Sequence, residues 1–143
     1  FVTRDGVKYD QNTNEPVNGI EETFYENGQL NRRINYIDGE LNGLWEWFYE
    51  NGQLRLRANY IDGEENVLME RFLEDGQLSS RANYIGGERN GLYESFHENG
   101  QLRSRTNYKD GERDGLSEEF DENGNLVDTE TYRNGVLESS TKY

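Results

Sequence analysis

The amino-acid sequence predicts an all-β fold, an elongated antiparallel meander of tandem 24-residue β-hairpins. Three observations predict it. Asn27-Gly28, Asn51-Gly52, Asp75-Gly76, Asn99-Gly100 and Asn123-Gly124 recur at an interval of 24 residues. Gly39, Gly63, Gly87, Gly111 and Gly135 keep the same period, as do Gly19, Gly43, Gly91 and Gly115, with Val67 standing where that last series would have a further glycine. Between the glycines lie short aromatic-rich segments, too short for a helix of about 10–12 residues and without a 3.6-residue period. Three series in phase make the repeat the unit of structure.

Each element follows from this spacing. Residues 1–17 depart from the pattern and read as an N-terminal cap containing Tyr9, Pro16 and Val17. Five units then run from Asn18 to Leu137, and residues 138–143 begin a closing strand. The second unit is representative. Its first strand reads Leu44-Trp45-Glu46-Trp47-Phe48-Tyr49 and its second reads Leu54-Arg55-Leu56-Arg57-Ala58-Asn59-Tyr60-Ile61. Asn-Gly and Asp-Gly at the junctions are hairpin signals, because both residue types tolerate the left-handed backbone that tight turns require. Neighbouring units must then stabilise one another, with caps at the ends.

Which side of the sheet is the core depends on the turn. A two-residue Asn-Gly loop would place Glu46 opposite Arg57 and Glu94 opposite Arg105, an ion-pair ladder. A three-residue Glu-Asn-Gly loop, with the glycine as a left-handed bulge, shifts the register by one. Leu44 and Phe48 would then share a face with Leu54, Ala58 and Tyr60. This second arrangement is the preferred expectation, because it gathers the recurring Leu, Phe and Tyr columns on one side. It also puts Glu22, Glu46, Glu70, Glu94 and Glu118 on the core face, where an unpaired carboxylate costs several kcal/mol.

The segment Ile37-Asp38-Gly39-Glu40-Leu41-Asn42-Gly43-Leu44-Trp45-Glu46-Trp47-Phe48-Tyr49-Glu50-Asn51-Gly52-Gln53-Leu54 resembles the MORN repeat, and most closely the bacterial MORN-repeat-variant family. The resemblance spans all five units. It implies an elongated, twisted antiparallel sheet and a scaffold or interaction role. Some bacterial members of the variant family are labelled antitoxin components of toxin–antitoxin systems, which makes an antitoxin or immunity factor that neutralises a basic toxin the alternative. Val67 departs from the pattern and predicts a local bend in the third unit. Thr129 and Thr131 depart in the last unit, which predicts a cap.

Composition narrows the functions. The chain has 143 residues, Lys+Arg 15 against Asp+Glu 29, and a net charge of −14. Such a chain is repelled by phosphate backbones and anionic lipid surfaces, which excludes nucleic acid and membrane lipid as first partners and favours a basic protein. No apolar run approaches the roughly 20 residues of a membrane helix, so an integral membrane protein is not expected. The first residue is Phe1, which suggests that a preceding segment was removed; an exported or cell-envelope location and a cytoplasmic one both stay open. Without cysteine, and with His97 as the single histidine, thiolate and histidine-cluster metal sites are excluded. The Asp-Gly-Glu loops at 38–40, 62–64 and 110–112 lack the dense ligand spacing of calcium loops and read as turns. No nucleophile–His–Asp spacing appears, and every prominent Glu is a repeat column, so no catalytic residue and no cofactor is expected.

Recognition is expected where the repeats differ. These positions are Trp45, Trp47 and Tyr49 in the second unit, Met69 and Arg71 in the third, and Tyr93 and His97 in the fourth. The preferred register turns them outward, with Arg55 and Arg57 beside them; the competing reading makes Trp45 and Trp47 a second small core. Aromatic and Arg side chains on a polar surface are typical interface anchors. The expectation is a non-enzymatic protein-binding scaffold using these seven residues, with oligomerisation through exposed end strands also open.

Overall fold

The computed structural model describes residues 1–61 and 66–143. Among them, a short hairpin of β1 (Val2–Arg4) and β2 (Val7–Tyr9) precedes a single antiparallel sheet whose strands are neighbours in strict chain order. The sheet begins with β3 (Gly19–Phe24), β4 (Leu30–Ile37), β5 (Glu40–Phe48), β6 (Leu54–Ile61) and β7 (Asn66–Phe72). It continues through β8 (Leu78–Ile85), β9 (Glu88–Phe96), β10 (Leu102–Lys109) and β11 (Glu112–Phe120) to β12 (Leu126–Arg133) and β13 (Val136–Lys142). This is the expected meander. The predicted turn at Asp62-Gly63-Glu64 lies outside the described residues.

The Glu-Asn-Gly turn forms as a three-residue loop. Gly52 N–H donates to the Tyr49 carbonyl at 3.0 Å and Tyr49 N–H to the Gln53 carbonyl at 2.8 Å, with Gly52 at φ 88. The same pair of bonds closes the loops at Gly28, Gly76, Gly100 and Gly124. Asn51 is suited to its place because its Oδ1 accepts the Gln53 N–H at 2.9 Å.

The preferred register nevertheless does not hold. It survives for one pair, Phe48 opposite Leu54, and then β6 carries an extra residue at Arg55, so that Leu56 faces Trp47, Arg57 faces Glu46 and Ala58 faces Trp45. The same one-residue bulge recurs after Phe24, Phe72, Phe96 and Phe120. A second bulge thus cancels the shift introduced by the first, and all side chains beyond it change sides. Leu44 shares a face with Asn59, not with Ala58 and Tyr60.

One face, the ladder face, therefore carries the repeated columns. Its Glu residues are not buried in a core: Glu46, Glu70, Glu94 and Glu118 pair with Arg33, Arg57, Arg81 and Arg105 at 3.5, 3.6, 2.8 and 2.7 Å. The guanidinium groups are about two-fifths exposed, so each pair contributes at most about 1 kcal/mol. Leu44, Leu68, Leu92 and Leu116, expected inside, are exposed, as are Ile37, Ile61 and Ile85.

The other face, the aromatic face, holds what core there is. Leu56, Ala58 and Val67 are buried, with Trp45, Trp47, Tyr60, Met69 and Tyr84 packed against them. Across the strands one row runs Trp45, Ala58, Met69, Ala82, Tyr93, Thr106, Ser117. In hairpins two to four large residues on the first strand face small ones on the second, so the row interlocks without a second layer. Toward the C-terminus the row turns polar, and Thr106 and Ser117 share a hydroxyl hydrogen bond of 2.8 Å.

Val67 has a definite consequence for the pairing of the third unit. Where Gly43, Gly91 and Gly115 stand, with φ 73, 88 and 95, the first strand carries two extra residues and the pairing shifts. A β-branched residue resists that left-handed conformation. At Val67 the pairing of β6 with β7 instead runs unbroken from Leu56–Arg71 to Ile61–Asn66, and the Val67 side chain joins the core.

Neighbouring hairpins are also tied at their turns. Tyr25 and Tyr49 hydroxyls donate to the Phe48 and Phe72 carbonyls at 2.6 and 2.7 Å, and Asn27 and Asn51 amides to the Glu50 and Glu74 carbonyls at 3.1 and 3.0 Å. The third unit has Leu73 and Asp75 at these positions, neither of which can donate. The junction between the third and fourth hairpins lacks both ties. Leu73→Tyr should restore a rung and raise stability by about 0.5–1.5 kcal/mol in urea unfolding. No gain would show that the turn ladder is not stabilising.

Candidate functional site

The aromatic face is hollowed between hairpins two and four. One hollow of about 630 Å³ is lined by Tyr60, Val67, Met69, Arg71, Tyr84 and the Gly86-Gly87 turn. A smaller one of about 120 Å³ lies between Met69, Ala82, Arg89 and Tyr93, and a third of about 270 Å³ between Trp47, Arg55, Leu56 and Leu73. Arg71 borders all three. The alternation of strands places these residues together: Trp47, Leu56 and Arg71 are opposed in sequence across β5, β6 and β7, and Met69, Ala82 and Tyr93 across β7, β8 and β9.

Of the seven residues expected to bind a partner, Trp47, Met69, Arg71 and Tyr93 line this groove. Trp45 lies on the same face but packs on the core, its ring centroid 6.5 Å from that of Tyr60 and its indole nitrogen buried without a partner. The aromatic pair Trp45 and Trp47 is therefore part of the core as well as of the surface, contrary to a purely outward placement. Tyr49 lines the edge of the third hollow with its hydroxyl committed to Phe72. His97 sits apart, at the turn, its Nε2 2.8 Å from the Phe120 carbonyl in the same ladder. A nitrogen facing a carbonyl oxygen must be the protonated one, so His97 is held as the Nε2–H form. Arg57, expected beside the Trp residues, lies on the opposite face with Glu70.

Two residues that line the groove lie outside those seven, Tyr84, which belongs to the recurring Tyr column, and Arg89, which belongs to none of the columns. Their signal was chemical: Arg89 replaces the Leu41 of the second unit at the start of a strand.

Two of the groove's three guanidinium groups rest on rings. Arg55 Cζ lies 4.1 Å from the Trp47 ring centroid, and Arg89 Cζ 4.5 Å from that of Tyr93. Arg89 Nη1 donates to the Tyr108 hydroxyl at 3.4 Å, and hydrogen bonding to Tyr84 and Tyr108 raises its pKa against the lowering effect of burial. Arg71 Nη2 is 3.8 Å from the Met69 sulfur. Arg113 repeats the Arg89 arrangement one unit on, 2.8 Å from the Tyr132 hydroxyl. Among the described residues, no group of His, Asp and Glu side chains is arranged to hold a metal ion.

Comparison with known proteins agrees with this architecture. The MORN repeat variant family model matches residues 17–38, 41–62, 89–110 and 113–134. It passes over the third unit, the one with Val67, Leu73 and Asp75. No curated protein matches the chain. Among solved structures, TarM is similar at 13% identity and a TM-score of 0.48, covering 87% of this chain and 21% of that one. A TarM structure from S. aureus in complex with fondaparinux, α-GlcNAc-glycerol and UDP gives the same values, 13% and 0.48 over 87% and 21%. The chain thus spans about a fifth of the length of TarM. With four matched units covering more than half of its residues, the chain belongs to the MORN repeat variant family.

Proposed function

We propose that this chain is a non-enzymatic bacterial protein-binding scaffold, and that the groove on the aromatic face is its binding surface. The observation that carries this reading is the concentration of unlike residues there. The ladder face repeats Leu, Glu, Phe, Arg and Asn from unit to unit, whereas in the hollowed groove Trp45 and Trp47 give way to Met69 and Arg71 and then to Tyr93 and Ser95 around the recurring Tyr60 and Tyr84. Aromatic and Arg side chains around small apolar hollows supply contact area and directed hydrogen bonds, the usual composition of interface anchors. Arg71→Glu in the groove should abolish capture of the native partner from cell extract, whereas Leu92→Glu on the ladder face should leave capture intact. The reverse pattern would move the binding surface to the ladder face.

An antitoxin that neutralises a basic toxin is the second reading. It is favoured by Glu26, Glu50, Glu74, Glu98 and Glu122, which recur at the first position of every Glu-Asn-Gly or Glu-Asp-Gly loop and are exposed along one edge of the sheet. Such a row attracts a cationic protein and accelerates its approach. Co-expression tests it: a neighbouring gene whose product is toxic alone and harmless with this chain is the expected result. Absence of such a product would leave the general scaffold.

A further inference from the structure

Resting on the scaffold reading, we propose that the groove seats an acidic polypeptide segment, with its carboxylates taken by Arg55, Arg71 and Arg89 and its apolar side chains by the hollows between them. In a chain of net charge −14, cations are expected to be neutralised internally. Most are. Arg33, Arg57, Arg81 and Arg105 are paired along the ladder face, Lys8 with Glu21, and Arg113 with Glu130. Arg55, Arg71 and Arg89 are not, nor are Arg4, Arg32, Arg103 and Lys109: among the described residues none of these has a carboxylate within ion-pair distance, and the partners of the three groove arginines are rings, a thioether and phenol hydroxyls.

The sheet register explains why. From β4 to β10 the aromatic face receives no Asp or Glu among the described residues; its carboxylates come only at the ends, Glu21 on β3 and Glu119, Asp128 and Glu130 on β11 and β12. The middle of the face is therefore cationic within an acidic molecule. A guanidinium stacked on a ring keeps its N–H edge free, and that planar fork fits a carboxylate in bidentate fashion. Burial of Leu56 and Val67 and the pliable Met69 between the cations suits apolar side chains interleaved with acids.

A polyphosphate is the other anionic occupant, and charge argues against it. A nucleic acid brings a phosphate at every nucleotide past exposed Glu50, Glu74 and Glu98 on one edge and Glu88 and Glu112 on the other. Those repulsions act over about 8–10 Å at ordinary salt, so a dense polyanion meets the rim before the floor. A short acidic peptide carries charge only where the three arginines lie.

Both Trp residues are on this face, so their emission reports occupancy. The full-length chain is titrated with a short synthetic peptide alternating Glu and Leu, its Lys–Leu counterpart, and an oligothymidylate. The acidic peptide should bind saturably, weaken with added salt, and lose about tenfold or more in affinity with Arg71→Gln. Arg57→Gln, on the opposite face, should leave binding unchanged, and circular dichroism should show both variants folded. Tighter binding of the Lys–Leu peptide would overturn the charge assignment while leaving the groove a protein-binding surface. Binding of the oligonucleotide instead would overturn the choice of a polypeptide. An acidic-peptide response indifferent to Arg71→Gln would overturn the role of the arginines.

Discussion

Ala58→Glu should unfold the middle of the sheet. Ala58 has no exposed surface and lies directly between Trp45 on β5 and Met69 on β7, beside Leu56 and Val67. A glutamate there must either displace both large side chains or bury its charge. An uncompensated buried carboxylate costs several kcal/mol, a large part of what a domain of this size has to lose. Asn59→Glu is the control. It changes the adjacent residue, on the ladder face, where Asn59 is half-buried opposite Leu44 and Leu68, and its cost should stay within about 1 kcal/mol. Urea unfolding of the two variants measures the difference. Equal effects would mean that the two faces are not distinct in burial.

The second large effect is expected at Gly39. A Cβ at this position would lie 2.5 Å from the Lys8 carbonyl oxygen and 2.5 Å from Val7 Cγ1, because β2 lies over the turn and Lys8 N–H donates to the Gly39 carbonyl at 2.9 Å. Gly87 occupies the corresponding turn two units later, at φ 83 against 79, with nothing within 4 Å of such a Cβ. Alanine costs about 1–2 kcal/mol of backbone strain at either turn. Only Gly39→Ala also meets a backbone atom, so it alone should release the N-terminal hairpin, seen as faster amide exchange across residues 2–9. Matching exchange in Gly39→Ala and Gly87→Ala would show that the hairpin is held by other contacts.

The same hairpin carries a pH dependence. Lys8 Nζ bonds Glu21 at 2.6 Å and the Tyr36 hydroxyl at 3.3 Å. Burial alone would lower its pKa, but these hydrogen bonds raise it above the ordinary lysine value. A base whose folded pKa is raised contributes stability that is fully present below its unfolded pKa and is lost as pH rises through the folded one. Attachment of the hairpin should therefore be constant near neutrality and weaken only in alkali. Amide exchange at Val7 and Lys8, corrected for the intrinsic rate, measures this; loosening toward acid instead would point to Glu21 as the controlling group.

Most of the fold was legible because it is written in glycine and asparagine, residues whose backbone preferences act locally. The Gly28-type turns formed as read, since the left-handed glycine and the Asx bond need nothing from the rest of the chain. The error lay one residue beyond them. The bulged positions are Asn31, Arg55, Ser79, Arg103 and Val127, four residue types at five places, because such a bulge demands no particular side chain. Nothing local marks it, and it decides which side every later residue faces. A non-local clue was present. The register that put five glutamates in the core was physically expensive, and the one that paired them with Arg columns was not; charge pairing was the better guide than collecting Leu and Phe.

The groove was legible in part for the same reason. Trp47, Met69, Arg71 and Tyr93 were visible as variation among repeats. Arg55 stood next to them but was grouped with Arg57, and only the bulge separates the two onto opposite faces. Tyr60 and Tyr84 looked like framework because they recur, yet a recurring residue can line a site when the neighbouring glycine is replaced, as at Val67.

Cross-strand disulfide trapping tests the register most directly, since the chain has no cysteine of its own. Opposed residues in an antiparallel pair have Cα atoms about 4.5–5.5 Å apart, within the range a disulfide spans. The pair Glu46→Cys with Arg57→Cys should oxidise readily in the folded chain, and Glu46→Cys with Leu56→Cys, whose side chains point to opposite faces, should stay reduced. Ready oxidation of the second pair and not the first would put the Leu and Phe columns inside and contradict the assignment of both faces.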